Sequence, residues 1–511
     1  MDASILGAAM PLNTTGPSDW SGACCLALWS LLGETKVTFP GSQLYDSSRS
    51  SYFAQQEAQI QPLCVVAPST VDDVSTALKS LTSIAASLAD EEKPTCNFAI
   101  RSGGHAPVAG AANIQAGVTL DLRGLNAINL STDQTITSVG VGATWGEVYA
   151  ILDPLNRSVA GGRVAQVGVG GLTTGGGISY FSPRYGWTCD TAQNFEVVLA
   201  NGTIVNANAD ENPDLLIALR GGSNNLGVVT RVDLTTFEQG LLWGGSVFYS
   251  FDTIDQQLKA TAEFSAAETY DEYASLIASF AFSGAHGATI VHSIEYTKPE
   301  ENPPAFQPFT EIPSFYNTLR IAPLSSLSAE QGAYSSNGKR QLMMVTTFES
   351  SLPMLNATYQ HWNTSLAAVQ EIPGIVWALS LEPLPPSIYA RGGADNSLGL
   401  STASGSLMIA LLSATWDDTA DDIQIEETTR ELITAIDNDS RDMDAYHPFV
   451  YLNYAAPWQD PIASYGEESV DRLRRVVRDV DPSGVFRARV PGGFKIPMRE
   501  RRESVGNNLV Y

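Results

Sequence analysis

The chain has 511 residues, with 55 acidic side chains against 29 lysines and arginines, and a net charge of −26. A surface this acidic repels nucleic acid and anionic membranes and suits a neutral or cationic small-molecule substrate. With 44% hydrophobic residues and a mean hydropathy of −0.03 it reads as an ordinary globular chain, long enough for several domains at roughly 100–200 residues each, and no apolar run approaches the ~20 residues of a membrane span.

In chain order, residues 1–20 are polar and rich in Gly, Pro, Asn and Ser, and 24–32 predicts a short buried helix. From residue 62 the pattern turns βαβ: a strand at 63–67, then a helix whose Val71, Val74, Leu78 and Leu81 share an apolar face, with Asp72 and Asp73 in its first turn. A strand at 97–101 delivers Arg101-Ser102-Gly103-Gly104-His105. Such a turn offers bare backbone N–H groups to an anion and hangs an imidazole beside them. Strands follow at 117–122 and 136–141, then a helix at 145–155 with Trp145, Val148, Ile151 and Leu152 inward. Six of the eleven residues from Val167 to Gly177 are glycine, an entropic cost that implies close approach of something large to the backbone.

Asn201-Gly202 predicts a hairpin between strands at 195–200 and 203–207, and a strand at 226–234 follows the Gly221-Gly222 break. Beyond 238 glycine thins out. Strands near 243–250, 274–282, 288–297, 340–347, 375–382 and 406–413, with helices near 254–267, 355–370 and 417–438, predict an α+β unit on an antiparallel sheet. The end predicts a strand at 449–454, a helix at 466–480 with Val470, Leu473 and Val477 inward, and a turn at 481–486.

Several chemistries are excluded. There is no Gly-x-Ser-x-Gly elbow, no Gly-Lys-Ser/Thr of a P-loop and no His-Glu-x-x-His. Thr173 occupies the third glycine position of a Rossmann fingerprint. Zinc-ligand spacing is absent, and His286, His292 and His361 read as ordinary core or surface histidines, so no metal is expected. Cys24, Cys25, Cys64 and Cys96 cluster early and can form one or two disulfides, in a pairing the sequence leaves open. Together with sequons at Asn13, Asn129, Asn156, Asn201, Asn356, Asn363 and Asn438 they favour a secretory route, although the first residues lack a basic region and long apolar core.

Two glycine-rich loops, one ending in a histidine, suit a cofactor with a pyrophosphate. The runs 101–105, 167–177 and 219–229 resemble the flavin-binding domain of the vanillyl-alcohol-oxidase, or PCMH-type, FAD oxidoreductases. Tyr451-Leu452-Asn453-Tyr454 and Asp481-Pro482-Ser483-Gly484-Val485-Phe486-Arg487 resemble the C-terminal module of their berberine-bridge-enzyme-like branch, and the look is closest to fungal secondary-metabolite oxidases. The resemblance implies an N-terminal segment (1–59) packed on a PCMH-type FAD domain (60–239), a substrate domain (240–447) and a C-terminal segment (448–511) returning to the FAD domain. It implies FAD attached through His105, with Arg101, Ser102, Gly103, Gly104, Val167, Gly168, Gly170, Gly171, Gly175, Val228 and Val229 around it. Many relatives attach the flavin a second time through a cysteine where this chain has Val164, so a single link is expected. Tyr454 is the expected base and Asn453 its orienter; the acid found two residues later in the plant motif is Ala456 here. The implied activity is oxidation of a small organic substrate by a monomer, with dioxygen as acceptor giving hydrogen peroxide, an oxidation that can trigger ring closure, and with no nucleic acid or membrane partner. The alternatives are a carbohydrate oxidase of the same fold and a flavin-retaining cyclase without redox chemistry.

Overall fold

The computed structural model describes residues 21–87, 96–266, 268–335, 337–401, 403 and 405–498; the 1–20 stretch and the Asn13 sequon lie outside them. The first helix, Ser21–Leu32, is stapled to the sheet that follows by Cys24–Cys96 and Cys25–Cys64. The βαβ pattern is realised as a four-stranded sheet in which Cys64–Val66 and Phe98–Arg101 both run parallel to Val118–Asp121. Helix Val71–Ser87 covers it with Val74, Leu78 and Leu81 fully buried. A second sheet of six strands is built around the long strand Val228–Glu238, and the Asn201-Gly202 turn joins two of its members with Gly202 at φ +77°.

The unit beyond residue 240 is a nine-stranded sheet with antiparallel pairing throughout. Strict alternation divides its two faces. On Ala274–Ser283, Leu276, Ala278 and Phe280 are buried; on Val376–Leu384, Trp377, Leu379 and Leu381 are buried. These pack with residues of helices Ile254–Phe264, Leu352–Val369 and Asp422–Asp442 into one core. A second core joins both glycine-rich sheets to the C-terminal helix Glu467–Val480 and also takes in Leu398 and Leu400 of the later chain.

Three local expectations change. Residues 449–454 form no strand: Leu452–Tyr454 is a short 3-10 turn, closed by Tyr454 N–H to the Tyr451 carbonyl at 3.0 Å, because the Tyr451 phenol is drawn to the Gly177 N–H, also at 3.0 Å. The 145–155 helix is α-helical to Leu152 and continues as a 3-10 turn over Asp153–Leu155, but Ile151 is 44% exposed while Tyr149 takes the inner position, its hydroxyl donating to the Gly162 carbonyl at 2.7 Å. The 167–177 stretch contains a short helix, Val169–Thr174.

Candidate active site

Strand Phe98–Arg101 ends where the two glycine-rich segments touch. A side-chain carbon on Gly103 would lie 2.7 Å from the Gly168 backbone, and one on Gly168 would lie 2.4 Å from the Gly103 nitrogen. The Ser102 hydroxyl ties the pair, donating to the Val141 carbonyl at 2.6 Å and accepting from the Gly170 N–H at 3.2 Å. Much of the glycine content thus serves contact between loops. Gly171 differs: nothing lies within 4 Å of its missing side chain, and it borders a cavity. Gly168→Ala is therefore expected to destabilise the protein by ~1–3 kcal/mol, and Gly171→Ala to leave thermal unfolding unchanged, both read by calorimetry.

Arg101 turns away from this seam. Its guanidinium donates to the Ser48 carbonyl at 2.5 Å and the Ser51 hydroxyl at 2.8 Å, stacks 3.7 Å from the Tyr52 ring centre and lies 3.7 Å from Asp121. It anchors the turn from behind and borders only a smaller cavity of about 490 Å3, which shares His105 with the large one.

His105 is half-buried, its ring stacked on Phe53 with centres 4.0 Å apart and planes 8° from parallel. Burial pushes the imidazole down to about 4, so near neutral pH it is uncharged and keeps a lone pair on one ring nitrogen. The segment after it is held by Glu57, whose carboxylate accepts from the Gly110 and Ala112 N–H groups at 3.1 and 2.7 Å. The sequence reading had no role for Glu57.

The large cavity, about 1620 Å3, runs from Asn224 and Val229 past Ser102–His105 and Val167–Gly171 to the nine-stranded sheet. Val164 borders it too. Val228 does not: it is fully buried on the opposite side of its strand from Val229. Gly175 is covered by Asn453, whose Oδ1 would lie 2.1 Å from an added side-chain carbon. The sheet presents small groups: Ser279 faces Ser380 across two strands with hydroxyl oxygens 2.8 Å apart, beside Ala281, Ala378 and Ser413.

Tyr454 stands where the glycine loops meet this sheet. Its hydroxyl accepts from Arg163 Nη2 at 2.7 Å and donates to Glu382 Oε1 at 3.1 Å, while the same Arg163 nitrogen reaches Glu382 Oε2 at 2.6 Å. Arg163 and Glu382 are nearly inaccessible, with side chains 7% and 5% exposed. Burial raises the Tyr454 phenol well above its usual 10, with Arg163 opposing and Glu382 reinforcing the shift; at rest the hydroxyl carries its proton. Asn453 donates to the Leu172 carbonyl at 3.1 Å and the Tyr451 hydroxyl at 3.0 Å, which places it as a brace between the glycine loop and the Tyr451–Tyr454 pair. Glu382 escaped the sequence reading; its signal is a lone acid in the apolar run 376–384. Among the described residues no cluster of His, Cys, Asp and Glu is arranged to hold a metal, and no helix is long and apolar enough to cross a membrane.

A glycine-lined trough bordered by an uncharged histidine, opening onto a sheet chamber with a buried tyrosine–acid–arginine cluster, defines an enzyme that holds a large cofactor against a small-molecule substrate. The volume exceeds the ~300–1,000 Å3 usual for one ligand. Residues 62–208 match the family described as FAD binding domain. The chain is 36% identical over 490 residues to the FAD-dependent monooxygenase CTB5 of Cercospora beticola, covering 93% of this chain and 92% of that protein. It is 37% identical over 492 residues to the FAD-dependent monooxygenase sdcF of Emericella nidulans, covering 93% and 98%. Similarity to the Oligopeptidase PhomG' of Diaporthe leptostromiformis, 40% over 474 residues, covers 92% of this chain and only 37% of that longer protein. In fold it is similar to the xylooligosaccharide oxidase of Myceliophthora thermophila (TM-score 0.73, 19% identity, 94% and 100% of the two chains) and to a BBE-like protein of Physcomitrella patens (TM-score 0.75, 17%, 94% and 99%). The chain belongs to the family of these FAD-dependent monooxygenases, and its fold is that of the BBE-like protein and the oligosaccharide oxidase.

Proposed function

We propose that the protein is an FAD-dependent oxidase of a small organic substrate of the secondary-metabolite kind. The observation that carries this is the placement of the Tyr454 hydroxyl, bonded to Arg163 and Glu382, on the same cavity as His105. The residues fit FAD: Gly171 leaves open space on the trough, and burial favours the uncharged His105 imidazole, which keeps one ring nitrogen with a lone pair. His105 would hold it through a bond from a ring nitrogen to the flavin 8α-methyl carbon, as the only covalent link, with Ser102, Gly103, Gly104, Gly168 and Gly170 shaping the trough. Arg101, Gly175 and Val228 support those walls from behind.

Bound FAD would supply the two-electron acceptor for a hydride from a substrate carbon, with dioxygen as the final acceptor giving hydrogen peroxide. Tyr454 takes the proton of the substrate hydroxyl or amine as that hydride leaves, and passes its own proton 3.1 Å to Glu382. Arg163, donating at 2.7 Å, stabilises negative charge building on the Tyr454 oxygen. The substrate thus loses two electrons and two protons, which balance the reduction of dioxygen to peroxide.

The relatives named monooxygenases favour a second reading, in which one atom of dioxygen enters the product. Turnover under labelled dioxygen separates the two: an oxidase returns one peroxide per product and no label in the product. For the cofactor, acid precipitation of the purified protein is expected to leave yellow colour in the pellet, and His105→Ala to release it to the supernatant. Colour released by the unmodified protein overturns the His105 link.

A further inference from the structure

Toward one edge of the nine-stranded sheet the cavity is bordered by aromatic rings from three stretches of chain. Phe248, on strand Leu242–Tyr249, is at the centre: its ring centre lies 5.5 Å from that of Tyr316, 6.2 Å from that of Tyr334 and 6.4 Å from that of Phe315. All four border the cavity. The short strand Tyr316–Asn317 pairs Tyr316 with Phe248, the Phe315 N–H donates to the Phe248 carbonyl at 3.0 Å, and Tyr334 follows the end of helix Leu324–Ala333. Folding leaves these rings open: Phe315, Tyr316 and Tyr334 are 66, 57 and 52% exposed. Single exposed apolar side chains are ordinary, but a cluster of them on the rim of a cavity marks a contact made with something else.

Strand register fixes where this cluster stands relative to Tyr454 and its partner Glu382. Phe248 opposes Val291, Val291 opposes Ser279 and Ser279 opposes Ser380, so the four share one face. Glu382 follows Ser380 by two residues on that same face. Three strand spacings of ~4.8 Å and two residues of ~3.3 Å put the Phe248 backbone about 16 Å from that of Glu382. The floor between them is nearly apolar: Val291, Ala281, Ala378 and the Ser279–Ser380 pair, whose hydroxyl oxygens are 2.8 Å apart. One hydroxyl hydrogen is used within that pair and one is left for a ligand oxygen. Arg163 and Glu382, already paired with each other, are the only Lys, Arg, Asp or Glu side chains bordering the cavity among the described residues. A charged substrate would find no free partner there.

We propose that the aromatic cluster around Phe248 is an outer substrate subsite, and that the substrate is a neutral, extended, fused-ring aromatic compound with one end stacked on that cluster and the other at Tyr454. The placement of the reacting end rests on the function proposed above; the stacking subsite does not. The neighbouring rings are inclined to Phe248 by 47°, 47° and 64°, a collar that meets a flat ring system by offset or edge-on contact. An oligosaccharide matches the floor less well, because its many hydroxyls would lie along Val291, Ala281 and Ala378 without partners, at a cost for each. A single-ring substrate would occupy only one end of the span.

The probe that tests this is 2-(hydroxymethyl)anthracene, a neutral, fluorescent alcohol on three fused rings. Its binding to the holoenzyme under anaerobic conditions, followed by fluorescence anisotropy, is expected to weaken ~2–10-fold in Tyr316→Ser and again in Tyr334→Ser, the loss of one aromatic contact each. Both side chains are more than half exposed, so the fold should survive, with the melting temperature as the check. Benzyl alcohol, measured by displacement of the probe, reaches only one end of the span, so the ratio of the two affinities should fall with each substitution. Probe affinity unchanged in both variants overturns the subsite. Xylobiose that displaces the probe as well as benzyl alcohol does, or better, overturns the aromatic substrate class. Anisotropy reads binding without electron transfer, so the two readings fail differently: a probe held at the collar that leaves the flavin oxidised counts against the oxidase and supports the subsite.

Discussion

Tyr454→Phe is expected to slow oxidation of the substrate by ~10²–10⁴-fold, the range that a positioned general base supplies. The change removes one oxygen and keeps the ring, which packs edge-on against Tyr451 with centres 4.8 Å apart. Flavin content and thermal stability should therefore stay close to those of the unmodified protein. Anaerobic stopped-flow reduction of the flavin isolates the step, because reoxidation by dioxygen does not contribute. A phenylalanine variant reduced as fast as the unmodified protein would remove Tyr454 from the mechanism. The size of the effect follows from the geometry: no other described group both faces the cavity and contacts Arg163 and Glu382 together through one oxygen.

The motifs that mark the cofactor trough were legible because each is local. Arg101–His105 and Val167–Gly177 are runs whose glycine content has few other uses, and one cavity is bordered by Ser102–His105 of the first and by Val167, Gly168, Gly170, Gly171, Leu172 and Thr174 of the second. The reason for the glycines was only partly legible. Gly103 and Gly168 are required by each other, across 65 positions of sequence, which no local pattern reveals. The resemblance put Arg101 beside the cofactor; its burial against Ser48, Ser51 and Tyr52 depends on a helix, Gln43–Ser50, that carries no motif.

The tyrosine–acid–arginine cluster was half legible. Asn453-Tyr454 stood out, and the alanines that follow pointed to a missing acid. That acid is Glu382, in the third unit of the chain, delivered by a strand whose alternation sends Leu379 and Leu381 into the helix-covered core and Ser380 and Glu382 into the cavity. Its partner Arg163 belongs to no motif that the sequence displays. An ion pair between positions 163 and 382 is set by how two units pack, and neither residue's surroundings in sequence announce the other.

Arg163→Met carries the largest expected structural penalty, because it strips the cation from a buried carboxylate. Removing one partner of such a pair costs ~3–5 kcal/mol, to be read as lowered stability in urea unfolding, and the rate of flavin reduction should fall with it. The two losses have different origins and can be separated. The double variant Arg163→Met/Glu382→Leu exchanges the pair for apolar groups and should recover much of the stability, since well-packed hydrophobic replacements of buried ion pairs are often neutral. It should recover none of the rate, because Tyr454 would have neither an acceptor for its proton nor a donor to hold the charge on its oxygen. Recovery of both would reduce the pair to a structural brace. Arg163→Lys sharpens the distinction: an ammonium keeps the charge but lacks the planar fork that fixes donors toward Glu382 and Tyr454, so stability should be retained better than rate.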